Sequence, residues 1–264
     1  GVDCVALSFV RSPADLRFAR EKLREAGAPE VSLVAKLERP EAVERIEEIL
    51  EEADAVMVAR GDLGLELPLE RVPRVQKDVT RRARARGIPV IVATQVLESM
   101  RTEPRPTRAE VSDAAHAVDA GVDAIMLAGE TAVGLYPIKA VQMLDAIIRD
   151  AEAMPPERTS TLEGSRVLGG HGRAICEAAV TLAARGDASA IVAMTRGGKT
   201  ARLLSALRPR VPIYAATDQP EVSDRKLECS TWLNASTWYT LTSSMSTVTV
   251  ASVEPFVIAS CTSV

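Results

Sequence analysis

Over the first three-fifths of the chain, short and nearly continuous apolar runs alternate with longer stretches of 3.6-residue periodicity. The runs cover residues 4–9, 31–37, 55–59, 89–93 and 123–127, and the periodic stretches cover 13–26, 40–52, 70–86, 107–120 and 137–153. Apolar runs without alternation are the mark of parallel strands covered on both faces, and the periodic segments are the crossover helices that cover them. Several helix starts have a local cause. Pro13, Pro40 and Pro137 suit a first turn, where a missing N–H costs nothing. Thr107 followed by Glu110 is a capping box. Gly27, Gly87 and Gly121 follow helices, where a positive φ turns the chain back toward the next strand. Five consecutive βα units with short loops favour an α/β fold, a partial TIM (β/α)8 barrel, over an open sheet. Gly1 already stands at the approach to a strand, so a complete barrel is expected to place three further units ahead of it.

A second, smaller α/β unit follows a linker rich in Pro, Glu, Ser and Thr at 155–164. Its pattern predicts a helix over 174–185, a strand over 190–194, a turn at 195–199, a helix over 200–207 and a strand over 212–216. The character changes after about Asp224. Of the last 35 residues 15 are Ser or Thr, and Glu254 is the single charge among them, so no helical face continues. Alternation at 247–251 fits a strand, and the pattern assigns no structure to the rest of this tail. The expected organisation is a barrel portion over 1–154, a partial α/β domain over 155–222 and a divergent tail over 223–264.

Composition narrows the function classes. With 32 Lys and Arg against 36 Asp and Glu, the 264-residue chain carries a net charge of −4 and offers no electrostatic reason to bind nucleic acid. At 47% apolar and 26% charged residues the chain is ordinary globular protein. No membrane span or signal peptide is read from it, and a cytoplasmic location is expected. Cys4, Cys176, Cys229 and Cys261 form no CxxC pair and have no His at zinc spacing, so buried free thiols are expected rather than disulfides or a metal knuckle.

In a parallel barrel, reactive groups gather at the C-terminal strand ends. The second run ends in Lys36-Leu37-Glu38, and two residues apart on an extended chain put ammonium and carboxylate on one side. The third ends in Arg60-Gly61-Asp62, a second carboxylate beside a glycine turn whose N–H groups suit an anion. The fourth ends in Thr94-Gln95 and the fifth in Gly129-Glu130-Thr131. Two carboxylates from adjacent strands suit a hard divalent cation such as Mg²⁺, and a nearby lysine suits a phosphoryl or enolate charge. The alternative is structural: Lys36 and Glu38 form an ion pair, Asp62 caps the next helix, and the mouth binds nothing.

These residues and their neighbours resemble pyruvate kinase. The matching words are Ala6-Leu7-Ser8-Phe9-Val10-Arg11, Ala35-Lys36-Leu37-Glu38, Met57-Val58-Ala59-Arg60-Gly61-Asp62-Leu63-Gly64, Ala93-Thr94-Gln95-Val96-Leu97-Glu98-Ser99-Met100, Pro104-Arg105-Pro106-Thr107-Arg108-Ala109-Glu110 and Ala128-Gly129-Glu130-Thr131-Ala132, in the family's order and spacing. The resemblance extends from about Gly1 to Val222. It implies phosphoryl transfer from phosphoenolpyruvate to ADP, giving pyruvate and ATP in glycolysis. It also implies Mg²⁺ or Mn²⁺ on Glu38 and Asp62, Lys36 stabilising the phosphoryl group in flight, amides of Gly61 and Asp62 on the substrate carboxylate, and Thr94 near the carbon where the enolate is protonated. K⁺ is implied for the complete enzyme, with ligands outside this chain, as is a homo-oligomer, a tetramer in the family. The turn Thr195-Arg196-Gly197-Gly198-Lys199-Thr200 occupies the place of a loop that binds a sugar-phosphate effector in some members, through Thr195, Gly197, Gly198, Lys199 and Thr200. An ordinary strand-to-helix turn is the other reading.

The family's first three barrel strands and its lid domain are not matched, nor are most nucleotide contacts, so negligible turnover is expected of this chain alone. A metal-dependent lyase or aldolase acting on pyruvate enolate would use the same carboxylates without a nucleotide. A truncated, inactive product that keeps assembly surfaces is the third reading. Arg60 either pairs with a neighbouring carboxylate or helps order the substrate. Glu130 is either a brace or a contributor to the mouth, and His116 is a packed or surface side chain.

Overall fold

The computed structural model describes residues 2–153, 171–196 and 198–216, with the backbone alone of strands at 236–243, 246–252 and 257–259. It divides into two compact units.

The first unit is built on parallel strands β1 (Cys4–Leu7), β2 (Ser32–Leu37), β3 (Ala55–Ala59), β4 (Val90–Ala93) and β5 (Ala124–Leu127). They pair in chain order. The crossovers carry helices α1 (Pro13–Glu25), α2 (Pro40–Glu44), α3 (Ile46–Glu52), α4 (Arg60–Glu66), α5 (Val72–Arg86) and α6 (Arg108–Ala120), with α7 (Gly129–Ala132) and α8 (Pro137–Ala153) after β5. The five expected βα units are therefore present.

Strand parity decides where the core sits. Leu33, Ala35 and Leu37 of β2, Val56 and Val58 of β3, Val90 and Val92 of β4, and Ile125 and Leu127 of β5 belong to the core shared with the helices. Burying each large side chain of this set stabilises the fold by about 1.5–3 kcal/mol. The alternate residues point to the opposite face. Lys36, Met57, Ile91 and Ala124 align in register across four strands, and Ala59, Ala93 and Met126 form the next layer toward the C-terminal ends.

The expected caps are present. Thr107 Oγ1 accepts from the Glu110 amide at 3.3 Å while the Glu110 carboxylate accepts from the Thr107 amide at 2.8 Å. The helix-ending glycines Gly27, Gly87 and Gly121 all have positive φ. At Gly121 (φ 85) a Cβ would also fall 2.3 Å from the Arg84 guanidinium.

Four details differ from expectation. The single helix expected over 40–52 is interrupted at Arg45, whose φ and ψ of −103° and 23° leave the helical region. Ala42, Ile46, Ile49 and Leu50 still bury into one core, and the bend allows both segments to follow the sheet. Short helical turns stand at Arg60–Glu66, Glu98–Arg101 and Gly129–Ala132, where loops were expected. Each is too short to show periodicity, and each starts close to a strand end.

In the second unit, helix α9 (His171–Arg185), strand β6 (Ile191–Met194), helix α10 (Lys199–Ala206) and strand β7 (Ile213–Ala216) match the expected order. β6 and β7 pair in parallel around a core of Cys176, Ala183, Ile191, Ala193, Leu204 and Ile213. The tail, left unassigned apart from the alternation at 247–251, contains three strands. Strands β8 (Ser236–Ser243) and β9 (Ser246–Ser252) form an antiparallel pair, the second enclosing the alternation at 247–251. A strand β10 (Val257–Ala259) lies parallel to β5 in the first unit's sheet.

Cys176 is a buried free thiol, and Cys4 is half-buried. Burial and the Glu177 charge push the Cys176 thiol pKa up. Cys229, Cys261 and the linker at 155–164 lie outside the described residues. No helix among the described residues is long and apolar enough to cross a membrane.

Candidate functional site

The C-terminal strand ends are joined to one another by side chains. After β1, the Ser8 hydroxyl accepts from Lys36 Nζ at 2.8 Å, and the Phe9 amide donates to Glu38 Oε2 at 2.7 Å. Lys36 Nζ lies 2.6 Å from Glu38 Oε1. Both oxygens of Glu38 are thus engaged, and the residue is only 2% exposed. The Lys36 side chain is one-quarter exposed against 1% for Glu38, so the lysine is the more accessible member of the pair. Parity explains the arrangement: Ser8 continues the side of β1 that faces the Lys36 side of β2, given the pairing of Ala6 with Val34.

The next junction joins β2 to α4, where Arg39 pairs with Glu66 at 2.5 Å and its guanidinium stacks 5.6 Å from the centre of the Phe9 ring. Between β3 and β4 the contacts are closer. The Gly61 amide donates to Thr94 Oγ1 at 2.8 Å. A Cβ on Gly61 would approach that oxygen to 3.2 Å, so glycine permits the contact without displacing the hydroxyl. Arg60 is 8% exposed and donates to the carbonyls of Thr94 and Gln95 and to Asp113 on α6. Asp62 sits in the first turn of α4 and is exposed.

Between β4 and β5, Glu130 (1% exposed) accepts from the Leu97 amide at 3.0 Å and the Ala128 amide at 2.9 Å. Glu110 braces the same loop from α6, accepting from the Ser99 hydroxyl and amide. Burial raises the Glu110 pKa, but the hydrogen bonds from Ser99 and Thr107 outweigh it and hold the carboxyl below its usual range.

The structure therefore brings Lys36 and Glu38 into direct contact, and likewise Gly61 and Thr94. Asp62 stands three residues past β3, the neighbour of the strand that ends in Lys36 and Glu38. Gly61 offers no idle amide here, since Thr94 takes it. Of the second unit's turn, Thr195 follows β6, Gly198 has φ 75, and Lys199 and Thr200 open α10; Gly197 lies outside the described residues. Nothing beyond a strand-to-helix turn is visible there.

Sequence reasoning missed Ser8 and the Phe9 amide, and it left Arg60 open between a neighbouring carboxylate and the substrate; the structure shows the carboxylate pair, with Asp113 as the partner. Inspecting the end of the first apolar run like the others would have singled out Ser8. Asp113 is mid-helix and gives no sequence signal.

Among the described residues no three His, Cys, Asp or Glu side chains converge to hold a metal by themselves. A divalent cation at this mouth would take Glu38 and Asp62 and complete its shell from substrate and water, as Mg²⁺ does. On Glu38 the donor chemistry fits such an ion. Each Glu38 oxygen has one hydrogen-bond donor and retains a second lone pair.

Comparison with known proteins agrees with this architecture. The family profile described as pyruvate kinase, barrel domain, matches residues 1–141, and that described as pyruvate kinase, alpha/beta domain, matches residues 173–259. The second match runs past Val222, where the recognisable words were expected to stop. A pyruvate kinase of Bacillus licheniformis is 47% identical over 228 residues, covering 86% of this chain and 39% of that protein. One from Mycobacterium tuberculosis is 49% identical over 232 residues, covering 88% and 48%. A crystal structure of a pyruvate kinase from Cryptosporidium parvum superposes with a TM-score of 0.79 at 38% identity, covering 87% of this chain and 48% of that one. The chain spans about half the length, or less, of these relatives. Two profiles of one family, matched in order over most of the sequence, establish that the chain belongs to the pyruvate kinase family.

Proposed function

We propose that the first unit carries the metal and phosphoryl side of a pyruvate kinase site, acting in the transfer of phosphate from phosphoenolpyruvate to ADP to give pyruvate and ATP. The observation that supports this most is the gathering of Lys36, Glu38, Gly61 and Thr94 at the C-terminal ends of three adjacent strands, with Lys36 Nζ 2.6 Å from Glu38 and the Gly61 amide on the Thr94 hydroxyl; an ion pair alone would also suit a purely structural role. Lys36 neutralises charge on the phosphoryl oxygens, the dominant need in phosphoryl transfer, and Ser8 and Glu38 fix its position. Glu38 and Asp62 would hold Mg²⁺ or Mn²⁺, which would supply Lewis-acid stabilisation of charge on the phosphate oxygens. The amides of Gly61 and Asp62 receive the substrate carboxylate, which for Gly61 means displacing the Thr94 hydroxyl. Thr94 stands where the enolate carbon is protonated.

The same reading takes K⁺ for the complete enzyme with ligands outside this chain, a homo-oligomeric assembly, tetrameric in the family, and a cytoplasmic location. The turn at Thr195, Gly197, Gly198, Lys199 and Thr200 keeps two readings, a sugar-phosphate effector site and an ordinary strand-to-helix connection. Mn²⁺ binding to this chain with phosphoenolpyruvate present, followed by water-proton relaxation, tests the proposal. Glu38→Gln and Asp62→Asn are each expected to weaken binding at least tenfold, and unchanged affinity in both overturns the metal assignment. In a chain of the relatives' length, pyruvate release that requires ADP supports the kinase, whereas ADP-independent release points to a lyase.

A further inference from the structure

Thr94 and Gln95 have φ values of 69° and 52°, successive left-handed residues that both carry side chains. L-residues seldom adopt this conformation singly and still less in sequence. Something outside the turn therefore holds it. Arg60 is placed to do so: Nη2 donates to the Thr94 carbonyl at 3.1 Å and to the Gln95 carbonyl at 2.9 Å, and Nε lies 3.3 Å from the Thr94 carbonyl. Nη1 meets Asp113 Oδ2 at 2.5 Å.

All three guanidinium nitrogens are engaged, and the residue is 8% exposed. That leaves Arg60 no fork for a substrate anion and removes direct substrate ordering as its role. The residue adjacent to Arg60 is Gly61, whose amide donates to the Thr94 hydroxyl. Side chain and amide thus close a ring of contacts between the ends of β3 and β4.

We propose that Arg60, anchored on Asp113, is the positioning residue of Thr94, holding the left-handed Thr94-Gln95 turn so that the Thr94 hydroxyl lies within reach of the Gly61 amide. The inference rests on the proposed function only in giving Thr94 and Gly61 a substrate to act on. A lysine cannot replace the arginine, because one ammonium lacks the planar fork that spans two carbonyls and a carboxylate. Asp113 is half-exposed, so its loss weakens the anchor without removing the fork.

The test is NMR of the isotopically labelled chain. Thr94→Val, which deletes the acceptor, provides the reference position of the Gly61 amide resonance. In Arg60→Lys that resonance is expected to move most of the way toward the reference, and Gly61 to exchange with solvent at least tenfold faster, while the Ile91 and Val92 amides of β4 stay as they were. Asp113→Asn is expected to give a smaller shift in the same direction. A Gly61 resonance that stays at its original position in Arg60→Lys, even with a lowered Tm, assigns Arg60 a merely structural role and overturns the proposal. If Arg60→Lys does not fold, an unmoved Gly61 in Asp113→Asn overturns it. Mn²⁺ binding with phosphoenolpyruvate, measured on the same unsubstituted sample, reads the proposed function separately: its absence counts against that function, whereas an unmoved Gly61 counts against the positioning role.

Discussion

Replacing Glu130 by alanine isolates the brace between β4 and β5. The side chain is 1% exposed, and its two oxygens accept separately from the Leu97 amide at 3.0 Å and the Ala128 amide at 2.9 Å. Leu97 itself is fully buried, so water cannot readily take the place of the carboxylate at that amide. A buried donor left without an acceptor costs about 1–3 kcal/mol, and two such donors about twice that. The void adds to the loss, while releasing one buried carboxylate subtracts from it. The net expectation for Glu130→Ala is a destabilisation of about 2–5 kcal/mol. Glu130→Gln keeps one carbonyl oxygen but turns an NH₂ group toward the second amide, so about 1–3 kcal/mol is expected, one orphaned donor instead of two. Urea denaturation followed by far-ultraviolet circular dichroism measures both, and hydrogen exchange at the Leu97 amide localises the effect. A loss below about 1 kcal/mol for Glu130→Ala would show that the loop finds other acceptors, and the reading of Glu130 as a brace would fall.

Three further outcomes are expected. In a protein of the relatives' full length, Lys36→Met lowers kcat by about 10²–10³-fold with little change in KM, the pattern of a group acting in the transition state; a loss confined to KM would remove that role. Gly121→Ala costs about 1–3 kcal/mol in a denaturant titration, because the left-handed φ of 85° is combined with a Cβ 2.3 Å from the Arg84 guanidinium; a neutral substitution would show that Arg84 moves aside freely. Stability falls in acid. Burial acts to raise the pKa values of Glu110, Asp15 and Asp78, but hydrogen bonds and arginine charges lower them on balance, from ordinary values of 4.5, 3.8 and 3.8. The folded state therefore binds these protons less readily than the unfolded chain. The stabilisation is complete above the ordinary values and is lost as pH drops through the lowered ones. Tm measured against pH should be level above about pH 5.5 and fall below about 4.5, and a Tm that rises on acidification would refute the assignment.

The βα order was legible because both signals are local. An apolar run such as Val90–Ala93 declares a strand buried on both faces, and Thr107 with Glu110 declares a helix start within four residues. Lys36 and Glu38 were paired from the two-residue period of an extended chain, and the measured 2.6 Å agrees. The break at Arg45 was not legible, since Ala42, Ile46, Ile49 and Leu50 keep a helical spacing across it. Strands in the Ser/Thr-rich tail were equally hidden, apart from the alternation within β9, because their pairing partners lie elsewhere in the chain.

What the amino-acid order determined by itself is the order of the main βα elements, the family, and the strand ends at which chemistry gathers, each carried by short stretches of neighbouring residues. Only the tertiary structure decided who meets whom across those ends. Ser8 reaches Lys36 over 28 positions, Arg60 reaches Asp113 over 53, and Glu130 reaches the Leu97 amide over 33. Strand register and the curvature of loops create such contacts, and no window along the chain contains both partners.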